Sequence, residues 1–261
     1  MAAAAALCPV LTKNSLAKGI YEITIACPDM AAQAAPGQFV HIRCGGATLR
    51  RPISICGLDK AAGTMRLVFE ERGEGTRWLA RVGPGQALDV LGPLGNGFDF
   101  ARLTGPAVFV GGGIGTPPLL GAAEAYLAAA PGNAACAILG FRSADAVILG
   151  RDFEAAGVPV RLATDDGTAG RRGLVTELLR ERLAEGRPAA VFACGPRPML
   201  RGVASLAREA GAPCFVSMEE RMACGVGACL GCAIKVAAQG REQYRHVCKD
   251  GPVFDAESVV W

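Results

Sequence analysis

Several features that common classes of protein need are scarce or absent in this sequence. The net charge is only +3, and the segment from Val216 onward holds five basic and six acidic side chains. No basic patch for a nucleic acid is therefore expected. The uncharged stretch 105–123 contains six glycines and three prolines, which suits a buried strand, a loop and a helix start better than a membrane span. We expect neither a nucleic-acid partner nor membrane association.

The N-terminus and the histidine content are equally sparse. Residues 1–8 are rich in alanine, lack a basic region and are too short for a signal peptide, so the protein is predicted to be cytoplasmic. Only two histidines occur, His41 and His246. This scarcity fits a chain that needs no catalytic acid or base of its own.

The composition predicts a folded protein with room for more than one domain. Hydrophobic residues make up 51% of the 261 residues and charged ones 20%, which supplies a packed core and argues against disorder. Eleven cysteines are present. Seven of them are scattered singly and are expected to be small buried side chains of a reducing compartment: Cys8, Cys27, Cys44, Cys56, Cys136, Cys194 and Cys214.

The other four cysteines carry the most specific signal in the chain. They follow the pattern C-x4-C-x2-C with a fourth cysteine after 15 intervening residues, which is the plant-type spacing for a 2Fe–2S cluster; they are Cys224, Cys229, Cys232 and Cys248. Glycines between the first three allow the backbone to wrap closely and turn N–H groups onto sulfur. The alternative is a structural zinc site, in which His246 could replace Cys248 as a Cys3His ligand.

Residues 1–102 have the pattern of a small antiparallel β-barrel. Short β-like runs at 20–25, 39–43, 51–55, 65–69 and 87–91 are separated by Gly- and Pro-containing turns. Two motifs in this part could contact phosphate groups: Arg51 in Arg51-Pro52-Ile53-Ser54, and the segment Gly73-Glu74-Gly75-Thr76.

From residue 103 to 215 strands and helices alternate, which predicts a doubly wound parallel sheet. Strands are expected at 108–110, 134–139, 158–163 and 189–193, and helices at 119–130, 174–183 and 199–210. Two loops follow strands and precede helices, where a pyrophosphate can bind. Their candidate binding residues are Gly111, Gly113, Gly115 and Thr116 in the first loop and Cys194, Gly195 and Pro196 in the second. The final part, 216–261, holds the four cluster cysteines.

Taken together, these motifs resemble the electron-transfer subunits of dihydroorotate dehydrogenase B, in the ferredoxin–NADP reductase superfamily. The resemblance spans nearly the whole chain, and its most specific part is Glu219-Glu-Arg-Met followed by the cysteine loop. It also includes the segment from His246 to Phe254.

The resemblance implies an FAD-binding barrel, an NAD-binding α/β domain and a 2Fe–2S module. It implies that Arg51 meets the FAD pyrophosphate and that Ser54 lies near the reactive flavin nitrogen. Pro52 and Ile53 belong to the same motif, and Ile53 stands where many relatives stack an aromatic ring on the flavin. By position, Val68, Phe69 and Glu70 line the adenine side, and Gly75 and Thr76 complete the FAD site.

The implied function is transfer of electrons to NAD from the FMN of a separate catalytic subunit that oxidises dihydroorotate, in pyrimidine biosynthesis. The implied assembly is a heterotetramer with two copies of each chain. Two alternatives stay open at this point. One is a reductase subunit that serves another redox partner, such as a hydrogenase or a glutamate-synthase-like protein, and the other is a non-redox nucleotide-binding protein with structural zinc.

Overall fold

The computed structural model describes residues 4–238 and 240–261. Six strands near the N-terminus close into an antiparallel barrel in the order β1-β2-β5-β4-β3-β6, which confirms the predicted barrel. The strands are β1 (Ala4–Ala17), β2 (Ile20–Ala26), β3 (Phe39–Ile42), β4 (Arg51–Asp59), β5 (Thr64–Glu70) and β6 (Ala87–Leu94). Two short helices lie between them, α1 (Pro28–Gln33) and α2 (Glu74–Leu79).

The interior of the barrel is built from alternate residues of its strands. On β6, Leu88, Val90 and Leu94 are buried, whereas Asp89 and Leu91 are more exposed. Ile23 of β2 and Leu67 of β5 are fully buried in the same core. A two-residue period with one apolar face is what allows a sheet to close around a hydrophobic centre.

The first strand was missing from the sequence-based prediction. β1 is rich in alanine and includes lysine, asparagine and serine, which are not strong strand formers. It forms because its two ends pair with β6 and β2. Burial is confined to Cys8 and Val10, so no clear hydrophobic alternation marks this strand in the sequence.

Two of the seven scattered cysteines are not separate thiols, contrary to the prediction. Cys8 and Cys27 form a disulfide, with Cα atoms 5.4 Å apart. The antiparallel register that pairs Val10 with Ile25 brings position 8 opposite position 27. Cross-strand neighbours of this kind have side chains close enough to bond.

The second part is a seven-stranded sheet with helices on both faces, as predicted. The strand order is β10-β9-β8-β7-β11-β12-β15, and all pairs are parallel except β12 with β15. The strands are β7 (Pro106–Gly112), β8 (Ala134–Phe141), β9 (Val160–Thr164), β10 (Arg171–Arg172), β11 (Ala190–Cys194), β12 (Cys214–Ser217) and β15 (Val253–Asp255). The helices are α3 (Pro117–Ala129), α4 (Gly150–Ala155), α5 (Val175–Ala184) and α6 (Arg197–Glu209).

The helices on the two faces of the sheet pack into different hydrophobic cores. Leu119 and Leu120 of α3 and Phe153 of α4 pack into one core, whereas Leu179 of α5 and Val203 of α6 pack into the other. Strand residues such as Val108 and Phe109 point alternately into these two cores. A parallel sheet covered on both faces explains why its strands are nearly continuous apolar runs.

The C-terminal segment adds an antiparallel hairpin of β13 (Ala233–Ala238) and β14 (Arg241–His246). The last strand, β15, then pairs with β12 at the edge of the large sheet. The segment also contacts the barrel, because the Asn96 side chain donates hydrogen bonds to the carbonyls of Lys249 (3.0 Å) and Asp250 (3.1 Å). The division predicted at residue 216 stays a prediction, since the cysteine segment contacts both other parts.

Within 4–238 and 240–261, none of the helices combines the length and the apolar character that crossing a membrane requires.

Candidate functional site

One cleft lies on the barrel, where β4, β5 and the start of α2 meet the C-terminal segment. We call it the barrel cleft; it encloses about 210 Å³. Seven predicted FAD-site residues line it: Pro52, Ile53, Ser54, Val68, Phe69, Glu70 and Thr76. Its lining includes apolar side chains of β4 and β5 and the Ser54 hydroxyl, an arrangement suited to a flat, mostly apolar ring.

Arg51 and Gly75, the other two predicted FAD-site residues, meet just outside this cleft. A Cβ atom on Gly75 would lie 2.6 Å from Nε of Arg51, so only glycine lets the guanidinium lie against the first turn of α2. The Arg51 Nη1 group also donates to the carbonyl of Leu49, at 2.6 Å. A guanidinium beside free N–H groups suits a phosphate ester at the edge of the cleft, so these residues fit FAD.

The second cleft lies at the carboxyl ends of the parallel strands and encloses about 570 Å³. We call it the sheet cleft. Four predicted binding residues line it: Gly113 and Gly115 from the loop after β7, and Gly195 and Pro196 from the loop after β11. Parallel strands end at the same edge of a sheet, which is where doubly wound folds bind nucleotides. These residues fit a dinucleotide such as NAD.

Gly111, Thr116 and Cys194 lie behind the two loops and do not line the sheet cleft. All three are buried. A Cβ atom on Gly115 would overlap the carbonyl oxygen of Cys194, so the two loops touch through their backbones. Burial raises the pKa of the Cys194 thiol, which keeps it neutral and makes it a packing residue beneath the loop.

The two clefts share one wall. Glu70, Arg72, Ile114 and Glu219 line both of them. Across this wall the Arg72 Nε group contacts the Glu70 carboxylate at 2.6 Å. The two clefts therefore adjoin, and direct transfer of hydride between two cofactors requires neighbouring sites.

The far end of the sheet cleft carries charged side chains from the loops after β8 and β9. Arg142, Asp145 and Asp165 line it, and all three are exposed. Two carboxylates beside one guanidinium favour ribose hydroxyls over an added phosphate, because the carboxylates accept hydrogen bonds and repel an anion.

The four predicted cluster cysteines lie around one loop, with backbone N–H groups directed at three of their sulfurs. Cys224 Sγ accepts from the N–H of Val226 at 3.4 Å and of Ala228 at 3.3 Å. Cys248 Sγ accepts from Gly227 at 3.2 Å, and Cys232 Sγ from the N–H of Cys248 at 3.4 Å. This donor set fits thiolates that carry negative charge onto a cluster.

The thiols lie in two pairs, Cys224 with Cys229 and Cys232 with Cys248. Burial raises the pKa of Cys224, but the N–H group of Val226, the Cys229 thiol and further N–H groups of the loop outweigh it and lower that pKa to about 6. Burial, and then the neighbouring Cys232, raise the pKa of Cys248 to about 12, so a metal that binds this thiol must displace its proton. In the part of the chain that the structure describes, no three His, Cys, Asp or Glu side chains surround a single point closely enough to hold one metal ion. Two irons, each held by two thiolates, suit two pairs.

The side chain of His246, the candidate fourth zinc ligand, lies against Asp250. Its Nδ1 atom lies 3.4 Å from the Asp250 carboxylate, and the backbone N–H of His246 donates to the same carboxylate at 2.7 Å. Cys248, by contrast, lies among the cluster cysteines.

Sequence reasoning missed several residues that line the barrel cleft. Phe39, Met218, Met222 and Pro252 line it from β3 and from the C-terminal segment. Met222 stands two residues before Cys224, and Pro252 four residues after Cys248. The Glu219-Glu-Arg-Met motif was the available signal, since it directly precedes the cysteine loop.

A barrel cleft, a dinucleotide cleft that shares its wall, and a cysteine loop for an iron–sulfur cluster define an iron–sulfur flavoprotein reductase of the ferredoxin–NADP reductase type. Residues 219–260 match the family described as the iron–sulfur cluster binding domain of dihydroorotate dehydrogenase B. This match decides for the iron–sulfur cluster and against the zinc alternative.

The chain belongs to the family of electron-transfer subunits of NAD-dependent dihydroorotate dehydrogenase B. It is 40% identical to the subunit of that name from Geobacillus kaustophilus, over 96% of both chains. It is 37% identical to the one from Desulforamulus reducens, over 97% of both. Among solved structures, an NADH-dependent reduced ferredoxin–NADP oxidoreductase aligns with a TM-score of 0.87 and 32% identity, over 98% of this chain and 90% of the other. A ferredoxin reductase of carbazole 1,9a-dioxygenase shares the fold, with a TM-score of 0.72 and 19% identity over 82% of this chain and 68% of the other.

Substitution of Gly115 tests whether the contact between the two loops shapes the sheet cleft. In Gly115→Ala the new methyl group meets the Cys194 carbonyl and must push the loops apart. We expect KM for NADH to rise about tenfold, equivalent to ~1.4 kcal/mol and typical of overpacking, with FAD content unchanged. The control is Gly150→Ala, where no heavy atom lies within 4 Å of the added Cβ. Equal KM values for the two variants would contradict this role of Gly115.

Proposed function

We propose that this chain passes electrons from the FMN of a dihydroorotate-oxidising catalytic subunit to NAD, as the second subunit of a heterotetramer with two copies of each chain. The observation that carries the proposal is the arrangement of the sites. The barrel cleft borders the sheet cleft through Glu70, Arg72, Ile114 and Glu219 on one side, and residues next to the cysteine loop on the other. When bound, the cluster supplies single-electron transfer, and FAD supplies the conversion between single electrons and hydride.

The residues of the chain act by binding and orientation. Ile53 provides an apolar surface for the flavin end of FAD, Val68 and Phe69 line its adenine side, and Arg51 beside the start of α2 binds its pyrophosphate. Gly113, Gly115, Gly195 and Pro196 hold the dinucleotide so that its nicotinamide reaches the shared wall. Met218, Met222 and Pro252 exclude water from the side that faces the cysteine loop, since they cover the cleft there.

The loop also offers a surface for the partner. Val226 and Leu230 are 48% and 66% exposed, and Cys229 between them is exposed as well. Apolar side chains beside an exposed cluster ligand suit a protein surface that brings a second redox centre close. The catalytic subunit docks on this face in the proposed complex.

Activity measured with and without the partner tests the proposal. The chain alone is expected to oxidise NADH with an artificial acceptor and not to oxidise dihydroorotate, because an FMN-binding barrel would need roughly 250 further residues. Together with an FMN-containing catalytic subunit it is expected to reduce NAD with dihydroorotate. Dihydroorotate turnover by the chain alone would refute the two-subunit scheme, and failure of the pair would favour another redox partner.

Cys229→Ser tests whether the flavin and cluster sites are held independently. Removal of one thiolate is expected to abolish or destabilise the cluster, while FAD stays bound, because Cys229 is exposed and does not line the barrel cleft. The measurement is iron and acid-labile sulfide content beside flavin content. Cys136→Ser, at a half-buried position of β8, is the control and should leave all three unchanged. Loss of FAD together with iron would show that the two sites form one folding unit.

The choice between NAD and NADP is tested at Arg142. We expect kcat/KM to be higher for NADH than for NADPH, because Asp145 and Asp165 line the same end of the cleft as Arg142. Arg142→Ala should change the ratio by less than about fivefold, since an exposed charge contributes about 1 kcal/mol or less. Arg208→Ala on α6 is the control. An NADPH preference that Arg142→Ala removes would show that Arg142 binds a 2′-phosphate.

A further inference from the structure

One buried histidine has no role in the proposed function so far. His41 is fully buried on β3, where Val40 and Ile42 point into the barrel core. Phe39 and His41 lie on the opposite face of this strand, and Phe39 lines the barrel cleft. Because side chains two residues apart on a strand share a face, His41 lies beside the flavin cleft on its cysteine-loop side.

The imidazole of His41 abuts the cysteine loop at Gly225. A Cβ atom on Gly225 would lie 2.6 Å from Nδ1 of His41 and 3.3 Å from Cδ1 of Leu94. Gly225 also has a φ of +74°, which L-residues rarely adopt. Gly225 directly follows Cys224. The residue that touches the imidazole is therefore the chain neighbour of a cluster ligand.

Neither ring nitrogen of His41 has a hydrogen-bond partner in the described part of the chain, and both are buried. A buried polar atom left without a partner costs about 1–3 kcal/mol, so an orphaned imidazole indicates a group that binds there. Burial first, and then the charges of Arg50 and Arg51, lower its pKa to about 4. The Arg50 main chain raises the pKa of His41, although it forms no hydrogen bond with either ring nitrogen. The ring is therefore neutral near pH 7 and carries one N–H donor.

We propose that Nδ1–H of His41 donates a hydrogen bond to a sulfur atom of the 2Fe–2S cluster and thereby raises the cluster's reduction potential. The proposal rests on the cluster assignment made above. A hydrogen bond to sulfur is stronger when the cluster holds an additional electron, so it stabilises the reduced state. His41 would then lie between the cluster and the barrel cleft and raise the reduction potential of the cluster.

The test compares His41→Met, which keeps the bulk and loses the donor, with His41→Gln, which keeps a donor, in the full-length protein. Leu94→Val is the matched packing control, because Leu94 touches the same glycine and has no polar atom. Iron, sulfide and FAD contents are measured first, and the reduction potential of the cluster is then followed by its electron paramagnetic resonance signal. For His41→Met we expect a tenfold shift of the one-electron equilibrium toward the oxidised cluster, which corresponds to 59 mV. His41→Gln and Leu94→Val should each shift it by less than about threefold.

An unchanged potential in His41→Met would overturn the proposal, and so would an equal shift in Leu94→Val, since packing alone would then explain it. Should His41→Met fail to assemble the cluster, the wild-type protein with ¹⁵N-labelled histidine provides the second measurement. Pulsed paramagnetic resonance of the reduced cluster should detect a histidine nitrogen coupling that is lost in His41→Gln. Identical spectra would overturn the proposal. Absence of iron from the wild type would refute the cluster assignment instead.

Discussion

The packing of α3 against β4 is the contact on which the two clefts depend. β4 carries Pro52, Ile53 and Ser54 of the barrel cleft, and α3 follows directly after the glycine loop of the sheet cleft. At their crossing, a Cβ atom on Gly121 would lie 2.7 Å from the carbonyl oxygen of Cys56. A side chain larger than hydrogen at Gly121 would separate the barrel from the sheet and widen the wall that both clefts share.

A half-buried charge cluster, in which only Glu22 is buried, lies at the same boundary. Arg66 on β5 pairs with Glu22 on β2 and with Asp152 on α4, at 2.6 Å from the latter. Burial raises the pKa of Glu124 on α3, next to this cluster. A charge away from water is costly unless its partners are in place, so the network discriminates against other orientations of the sheet on the barrel.

The cysteine segment is the third part held by close contacts, and it bridges the other two. Its strand β15 extends the large sheet, Asn96 ties it to the end of the barrel, and Gly225 meets His41. The segment therefore sets the distance between the cluster and the barrel cleft. Exposed Val226 and Leu230 leave the opposite side of the loop open to a partner.

The sequence by itself determined the parts whose signals are local. Cysteine spacing predicted the cluster ligands, glycine loops between a strand and a helix predicted the dinucleotide cleft, and alternating apolar residues predicted five barrel strands. Tertiary structure alone decided the features that depend on distant pairing. β1 is a strand only because β2 and β6 flank it, Cys8 meets Cys27 through that register, and β15 joins a sheet whose other strands lie far earlier in the chain. Segments far apart in sequence likewise bury His41 and form the wall shared by Glu70, Arg72, Ile114 and Glu219. Residue type and spacing encode local conformation, but they do not encode which surfaces meet.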